Sequence, residues 1–88
     1  MPTNKLLIIT DKLGLHVRPA WALVKLFSKY RSQITICKDK RIANGKSILE
    51  ILSLGAGAGS TLILTVEGDD APQVMDEISS LIDAGFAL

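Results

Sequence analysis

The chain has 88 residues, of which 48% are hydrophobic and 22% charged. This size and composition predict one folded domain over residues 1–88 and exclude a disordered or collagen-like chain. The formal net charge of +1 at pH 7 hides an asymmetry. Residues 1–46 carry all ten Lys and Arg against Asp11 and Asp39, a formal charge of +8, whereas residues 47–88 carry seven acids and no Lys or Arg, a charge of −7. Such a division predicts a charged partner.

Several classes of site and segment are excluded by residue counts. Cys37 is the only cysteine and His16 the only histidine, so no intrachain disulfide forms, and a zinc site would have to be completed by carboxylates. We expect no metal site. The first twelve residues lack the layout of a signal peptide. The longest apolar runs, such as Leu6–Ile9, fall far short of the roughly 20 residues of a membrane span. We therefore expect a cytoplasmic protein without membrane insertion.

The first half of the chain predicts a strand and then a helix. Thr3–Thr10 is dense in aliphatic and β-branched residues, as strands are. Pro19 marks the first turn of a helix, which we expect to end near Ser28–Tyr30. One face of this helix has the spacing of a buried stripe and consists of Ala20, Leu23, Val24 and Phe27.

Two strands and a short helix follow. The strands are predicted at Ser32–Lys38 and Arg41–Asn44. Ser47 and Glu50 match the capping box, in which the serine hydroxyl and the glutamate carboxylate satisfy amides at a helix start reciprocally. The short helix is expected to end near Gly55, where a glycine-rich flexible loop begins.

The last part predicts a fourth strand at Thr61–Glu67 and a third helix. Asp70 is a candidate cap for this helix, Pro72 lies in its first turn and Gly85 ends it. Its apolar stripe consists of Val74, Ile78, Leu81 and Ile82. The order β-α-β-β-α-β-α, with short connections, predicts an α+β fold in which helices cover one face of an antiparallel sheet.

Residues 14–20 contain the side chains with chemical potential. His16 stands immediately before the helix whose first turn holds Pro19, and the unpaired N–H groups and dipole of a helix start attract anions. Arg18 adds a guanidinium that can bind phosphate through paired hydrogen bonds. These residues indicate a histidine that handles an anion. The alternative is a surface or capping histidine beside a solvated arginine.

These residues resemble a known family. Gly-Leu-His-Val-Arg-Pro-Ala at residues 14–20 is similar to the phosphorylation-site signature of HPr, the histidine-containing phosphocarrier of the bacterial phosphoenolpyruvate-dependent sugar phosphotransferase system. Gly45–Ile48 together with Leu52–Gly55 resembles the regulatory-serine segment of that family. The order of elements and the length extend the resemblance over essentially the whole chain.

The resemblance implies an open-faced β-sandwich with four antiparallel strands and three helices on one face. It implies that His16 accepts a phosphoryl group on Nδ1 from phosphorylated enzyme I and passes it to IIA components, while Arg18 stabilises the phosphate. It also implies a cytoplasmic carrier that is not an enzyme and has no cofactor. Ser47 would be phosphorylated by an HPr kinase/phosphorylase in some bacteria.

Helical periodicity also predicts a docking surface beside His16. On the first helix, Val17, Trp21 and Lys25 lie opposite the buried stripe, and an aromatic side chain bordered by charge is common at interfaces. The short helix has more apolar positions than one buried face requires. The predicted docking residues are Val17, Trp21, Lys25, Ile48, Leu49 and Leu52. The alternative is that Trp21 packs against the short helix.

Three departures from the family pattern bear on the partner. Trp21 stands where the family usually has a small residue, and Glu50 stands where a neutral or basic residue is familiar. The outer face of the sheet would show apolar residues at Leu6, Ile8 and Ile63. We expect a monomer, and a self-associating adaptor is the alternative that this outer face suggests.

Two further alternatives remain at this point. Asp11–Gly14 and Gly85–Phe86 resemble HPr-like carriers of the nitrogen-related regulatory branch. A small nucleic-acid-binding module would use the basic half, but the chain is only 5% aromatic and lacks base-stacking platforms. We therefore expect no nucleic-acid partner.

Overall fold

The computed structural model describes residues 2–86. Four strands form one antiparallel sheet in the order β1-β4-β2-β3, and three helices pack on one of its faces. This confirms the predicted α+β class and the order β-α-β-β-α-β-α. The elements are β1 (Thr3–Ile8), α1 (Val17–Phe27), β2 (Gln33–Lys38), β3 (Arg41–Asn44), α2 (Ile48–Ser53), β4 (Thr61–Glu67) and α3 (Ala71–Asp83).

The core lies between the sheet and the helices. Strand residues alternate between the two faces, so the inward rows are apolar, as where Leu7 pairs with Leu62 and Ile36 pairs with Leu64. The helices supply the other half of the core. The largest fully buried side chains are Phe27, Leu7, Ile9, Leu23, Ile34, Ile36, Ile51, Leu54, Leu62, Leu64, Ile78 and Val66.

The outer face of the sheet carries a row of apolar side chains, as predicted. Leu6 is 66% exposed and Ile63 45%, and the two are register partners. Ile63 in turn pairs with Cys37, and Cys37 pairs with Ile42. One row across all four strands therefore presents aliphatic side chains and a thiol outward, with Ile8 exposed beside it.

Element ends differ from the predictions by one to three residues. β1 ends at Ile8 rather than Thr10, although Ile9 still exchanges backbone hydrogen bonds with residues 59 and 60. α1 ends at Phe27. Asp70 occupies the N-cap position of α3, but its side chain does not cap that helix, so this prediction is wrong.

The carboxylate of Asp70 instead joins the acidic half of the chain to the basic half. It accepts hydrogen bonds from the hydroxyl and N–H of Ser32 and from the N–H of Arg31. The Ser32 hydroxyl is the main cause that lowers the pKa of Asp70, followed by the N–H of Arg31. The β4–α3 turn is therefore tied to the start of β2.

Glu77 on α3 makes a second connection of this kind. Its carboxylate oxygens lie 2.6 Å from Nζ of Lys29 and 2.6 Å from the hydroxyl of Tyr30. Lys29 is the main cause that lowers the pKa of Glu77, and the hydrogen bond to Glu77 raises the pKa of Tyr30 to about 12. These contacts fix the chain that leaves α1 against the terminal helix.

Candidate functional site

The residues before α1 are held by the glycine-rich loop that follows α2. Gly14 has φ = +71°, a conformation that favours glycine, and a Cβ atom there would lie 2.6 Å from the carbonyl oxygen of Ala56. The N–H of Leu15 donates to that same carbonyl at 2.8 Å, and the Leu15 side chain is buried. The chain therefore reaches His16 along a fixed path.

His16 is the N-cap residue of α1 and leaves the helix start open. Its carbonyl accepts the N–H of Ala20 at 3.1 Å, whereas its side chain makes no capping hydrogen bond. The N–H groups of Val17 and Arg18 come before the first intrahelical donor, and Pro19, which follows them, has no N–H. Two backbone donors and the positive end of the helix dipole are therefore available to an anion beside the imidazole.

The imidazole of His16 is turned towards a carboxylate. The ring is 30% exposed, and its Nε2 lies 3.3 Å from Oδ2 of Asp11. Within residues 2–86, Nε2 is buried and has no hydrogen-bond partner of good geometry. The Asp11 carboxylate is therefore close enough to Nε2 to influence the imidazole.

The Asp11 carboxylate is itself held in an Asx turn. Its Oδ1 accepts the N–H of Leu13 at 2.9 Å, and its main-chain carbonyl accepts the N–H of Gly14 at 2.9 Å. The hydrogen bond from Leu13 is the main cause that lowers the pKa of Asp11, and the His16 imidazole and the charge of Arg18 lower it further. Asp11 is therefore an anion at neutral pH.

Arg18 is exposed beside this pair. Within residues 2–86 it forms neither an ion pair nor a side-chain hydrogen bond, so its five donors are available to a ligand. It lines a cavity of about 210 Å³ together with Asp11, Pro19, Gly85 and Phe86. A cavity of this size can hold a small anion near the guanidinium.

Apolar side chains are exposed around the start of α1. Val17 is 60% exposed, Trp21 47% and Leu49 78%, and Lys25 is exposed as well. Ile48 and Leu52 are half-buried and pack against the core. α1 and α2 contact each other, so these residues stand on two adjacent helices.

Ser47 heads α2, but the capping box is only half formed. Its Oγ accepts the N–H of Glu50 at 3.4 Å, as predicted. The Glu50 carboxylate does not return the bond to Ser47. It accepts the N–H of Asn44 at 3.0 Å, while the N–H of Ser47 donates to the Asn44 carbonyl. The predicted reciprocal box is therefore wrong in its second half, because the β3–α2 turn already satisfies that N–H.

Neither a membrane span nor a metal cluster is found in the part of the chain that the structure describes. Its helices are all too short or too polar to cross a bilayer. Residues 2–86 also contain no group of three or more His, Cys, Asp or Glu side chains placed to hold a metal ion.

Comparison with known proteins shows the family. The family model of the PTS HPr component phosphorylation site matches residues 3–84. The chain belongs to the HPr family. It is 40% identical over 80 residues to the phosphocarrier protein HPr of Mycoplasma capricolum, with 90% of each chain covered. It is 41% identical over 78 residues to the phosphocarrier protein NPr of Shewanella violacea, covering 89% of this chain and 86% of the relative.

A solved HPr structure agrees with this assignment. A crystal structure of HPr-C-His from Thermoanaerobacter tengcongensis has a TM-score of 0.88 and 39% identity to this chain, covering 96% of this chain and 94% of that one. The resemblance noted in the sequence is thereby confirmed. As a member of the HPr family, the chain is a phosphocarrier of the phosphotransferase system rather than an enzyme.

Within this HPr-family fold, two predicted site residues share one helix start and the third lies elsewhere. His16 and Arg18 stand at the N-terminus of α1, whereas Ser47 stands at the N-terminus of α2. The site residues that sequence reasoning missed are Asp11 beside the imidazole and Phe86 in the wall of the Arg18 cavity. The Asp-x-Leu spacing of an Asx turn was a signal for Asp11, but the position of Phe86 depends on the path of α3.

Proposed function

We propose that Nδ1 of His16 accepts a phosphoryl group from phosphorylated enzyme I and passes it to IIA components. The observation that supports this most directly is the open start of α1, where the imidazole lies within three residues of two N–H groups that precede the first intrahelical donor and of an Arg18 side chain without a partner in residues 2–86. The carrier works as a single domain over residues 1–88, in the cytoplasm and as a monomer, without a cofactor.

The transfer itself needs little from the carrier beyond a nucleophile and an anion site. The Nδ1 lone pair forms a bond to phosphorus while the bond between phosphorus and the donor atom of enzyme I breaks, and the donor atom keeps that electron pair. The phosphoryl oxygens then lie near the N–H groups of Val17 and Arg18 and the guanidinium of Arg18, which stabilise their charge. The same steps in reverse deliver the group to the next protein.

The exposed apolar residues beside His16 provide the docking surface for both partners. Its residues are Val17, Trp21, Lys25, Ile48, Leu49 and Leu52. An exposed Trp is a typical anchor of such surfaces, and its 47% exposure favours this role over packing against α2. Leu13, which is 76% exposed on the loop before His16, extends the same surface. The +8 charge of residues 1–46 speeds encounters with acidic partners.

Ser47 is proposed as a second, regulatory phosphorylation site for an HPr kinase/phosphorylase. A phosphate on its Oγ would add about −1.5 to −2 charges at pH 7 at the start of α2, beside Leu49 of the docking surface. Glu50, whose N–H already contacts Oγ at 3.4 Å, places a second anion on the same turn. This modification would therefore weaken docking by repelling acidic partners.

A second candidate function is the nitrogen-related regulatory branch, supported by Asp11–Gly14 and Gly85–Phe86. One relative carries the name NPr at 41% identity, and another carries the name HPr at 40%. Identity therefore does not separate the two branches. The comparison that does so is the rate of phosphoryl transfer from this carrier to a sugar-type and to a nitrogen-type IIA protein.

The proposed function predicts that incubation with labelled phosphoenolpyruvate and enzyme I gives one acid-labile phosphate on the chain. The label should be lost in His16→Ala, since this is the only histidine. The Ser47→Ala variant is the matched control and should keep the full label. A label that persists in His16→Ala would overturn the assignment.

A further inference from the structure

We propose that Asp11 is a positioning residue, whose carboxylate keeps the ring proton of His16 on Nε2 and so leaves the lone pair on Nδ1. This inference rests on the proposed function, in which Nδ1 is the atom that accepts the phosphoryl group.

The first observation is a buried ring nitrogen that lies close to a carboxylate. Nε2 of His16 is buried and lacks a hydrogen bond of good geometry within residues 2–86, and leaving such an atom unpaired is unfavourable. Oδ2 of Asp11 lies 3.3 Å away. This separation is slightly longer than that of an ordinary N–H···O hydrogen bond, and catalytic hydrogen bonds are often long or poorly aligned before a reaction partner binds.

The second observation is that Asp11 has one oxygen already engaged and one free. Oδ1 is held by the N–H of Leu13 at 2.9 Å, which fixes the carboxylate plane and turns Oδ2 towards His16. The hydrogen bond from Leu13 also lowers the pKa of Asp11. The group that faces Nε2 is therefore an oriented carboxylate and not a freely rotating one.

The consequence follows from the donor and acceptor inventory. An ionised carboxylate only accepts hydrogen bonds, so the nitrogen that faces it must carry hydrogen. In a neutral imidazole the other nitrogen then has the lone pair, and here that nitrogen is Nδ1. Once Nδ1 has bonded to phosphorus, the ring is a cation that retains its Nε2 proton, and the Asp11 carboxylate stabilises that charge.

Asp11→Asn tests this inference with little change of shape. The asparagine carbonyl can still accept the N–H of Leu13, since asparagine forms Asx turns readily. Its amide group then donates towards Nε2 and favours the opposite tautomer, with hydrogen on Nδ1. Asp69→Asn is the matched control, because it removes one negative charge from an exposed turn.

The tautomer is measured by ¹⁵N NMR of the imidazole, which is unambiguous because the chain has one histidine. We expect the neutral ring of the natural chain and of Asp69→Asn to be mainly in the Nε2–H form, and Asp11→Asn to shift towards Nδ1–H. Backbone amide spectra check that each variant is folded. An unchanged tautomer in Asp11→Asn would overturn the proposal.

The rate of phosphoryl acceptance from enzyme I is the second readout. A catalytic histidine held in the wrong tautomer is strongly impaired. We therefore expect the rate of phosphoryl acceptance to fall about tenfold or more in Asp11→Asn and to be unchanged in Asp69→Asn. A shifted tautomer with an unchanged rate would also overturn the proposal. The two failures can be told apart by the His16→Ala variant. If the proposed function fails, that variant keeps the phosphate label, and this result does not depend on the tautomer.

Discussion

The starts of α1 and α2 have a similar backbone conformation but differ in how their side chains complete them. Each helix follows an extended residue that occupies the N-cap position, His16 for α1 and Ser47 for α2. The Ser47 hydroxyl accepts an N–H of its own first turn at 3.4 Å. The His16 side chain accepts none, and its ring is turned to Asp11 instead.

Under the proposed function, this difference separates a structural helix start from a functional one. At α2, the first turn consists of Ile48, Leu49 and Glu50, so it brings no cationic side chain, and the Glu50 carboxylate accepts the N–H of Asn44. At α1, the N–H groups of Val17 and Arg18 come before the first intrahelical donor, and the Arg18 guanidinium has no partner within residues 2–86, while the preceding loop is fixed to Ala56. A carrier needs this combination, because a phosphate is bound quickly only where donors are already in position.

Among substitutions at the two helix starts, the largest effect on stability and phosphoryl acceptance is expected from Gly14→Ala. The substitution puts a Cβ atom 2.6 Å from the Ala56 carbonyl in a backbone conformation with φ = +71°, so the loop that presents His16 must move. We expect the free energy of unfolding to fall by roughly 1–3 kcal/mol or more, with loss of phosphoryl acceptance. Urea denaturation and the phosphoenolpyruvate label measure the two effects.

Gly57→Ala is the matched control for that experiment. Gly57 lies in the loop that contacts Gly14, but a Cβ atom at Gly57 meets nothing within 4 Å. It should change neither stability nor labelling appreciably. Equal losses in both variants would mean that the fixed path before α1 is not what presents His16.

The next effect concerns the unpaired guanidinium at the open helix start. Arg18→Met keeps much of the side-chain length and removes all donors. We expect phosphoryl acceptance to slow by roughly 10- to 100-fold, with no loss of stability, since within residues 2–86 Arg18 makes no side-chain hydrogen bond or ion pair. Single-turnover kinetics give the rate. An unchanged rate, or a destabilised fold in Arg18→Met, would contradict the proposed role of the Arg18 guanidinium.

How much of this site could be predicted depends on how local each contact is. His16, Arg18 and Pro19 lie within four residues of one another, so helix geometry alone relates them. The fold class followed from strand and helix periodicity in the same way. The contact between Asp11 and His16 depends on Gly14 bending the loop against Ala56, and this needs α2 and its following loop in place.

The capping box also shows that local sequence does not determine every contact. Ser47 was correctly placed at a helix start because its hydroxyl acts within one turn. The partner of Glu50 was predicted wrongly because two acceptors compete for the N–H of Ser47. The carbonyl of Asn44 takes it at 3.1 Å, and the glutamate carboxylate then turns to the N–H of Asn44. Local sequence does not decide between such acceptors.

The smallest effect is expected at the start of α2, from Ser47→Ala. Loss of an N-cap hydroxyl costs about 1 kcal/mol, which urea denaturation would detect, whereas the acceptance of phosphate by His16 should be unchanged. The control is Ser28→Ala at the end of α1, whose hydroxyl makes no hydrogen bond within residues 2–86 and whose loss should leave stability unchanged. If Ser47→Ala instead slowed labelling of His16 without lowering stability, Ser47 would belong to the functional site, and the two helix starts would not divide structure from function.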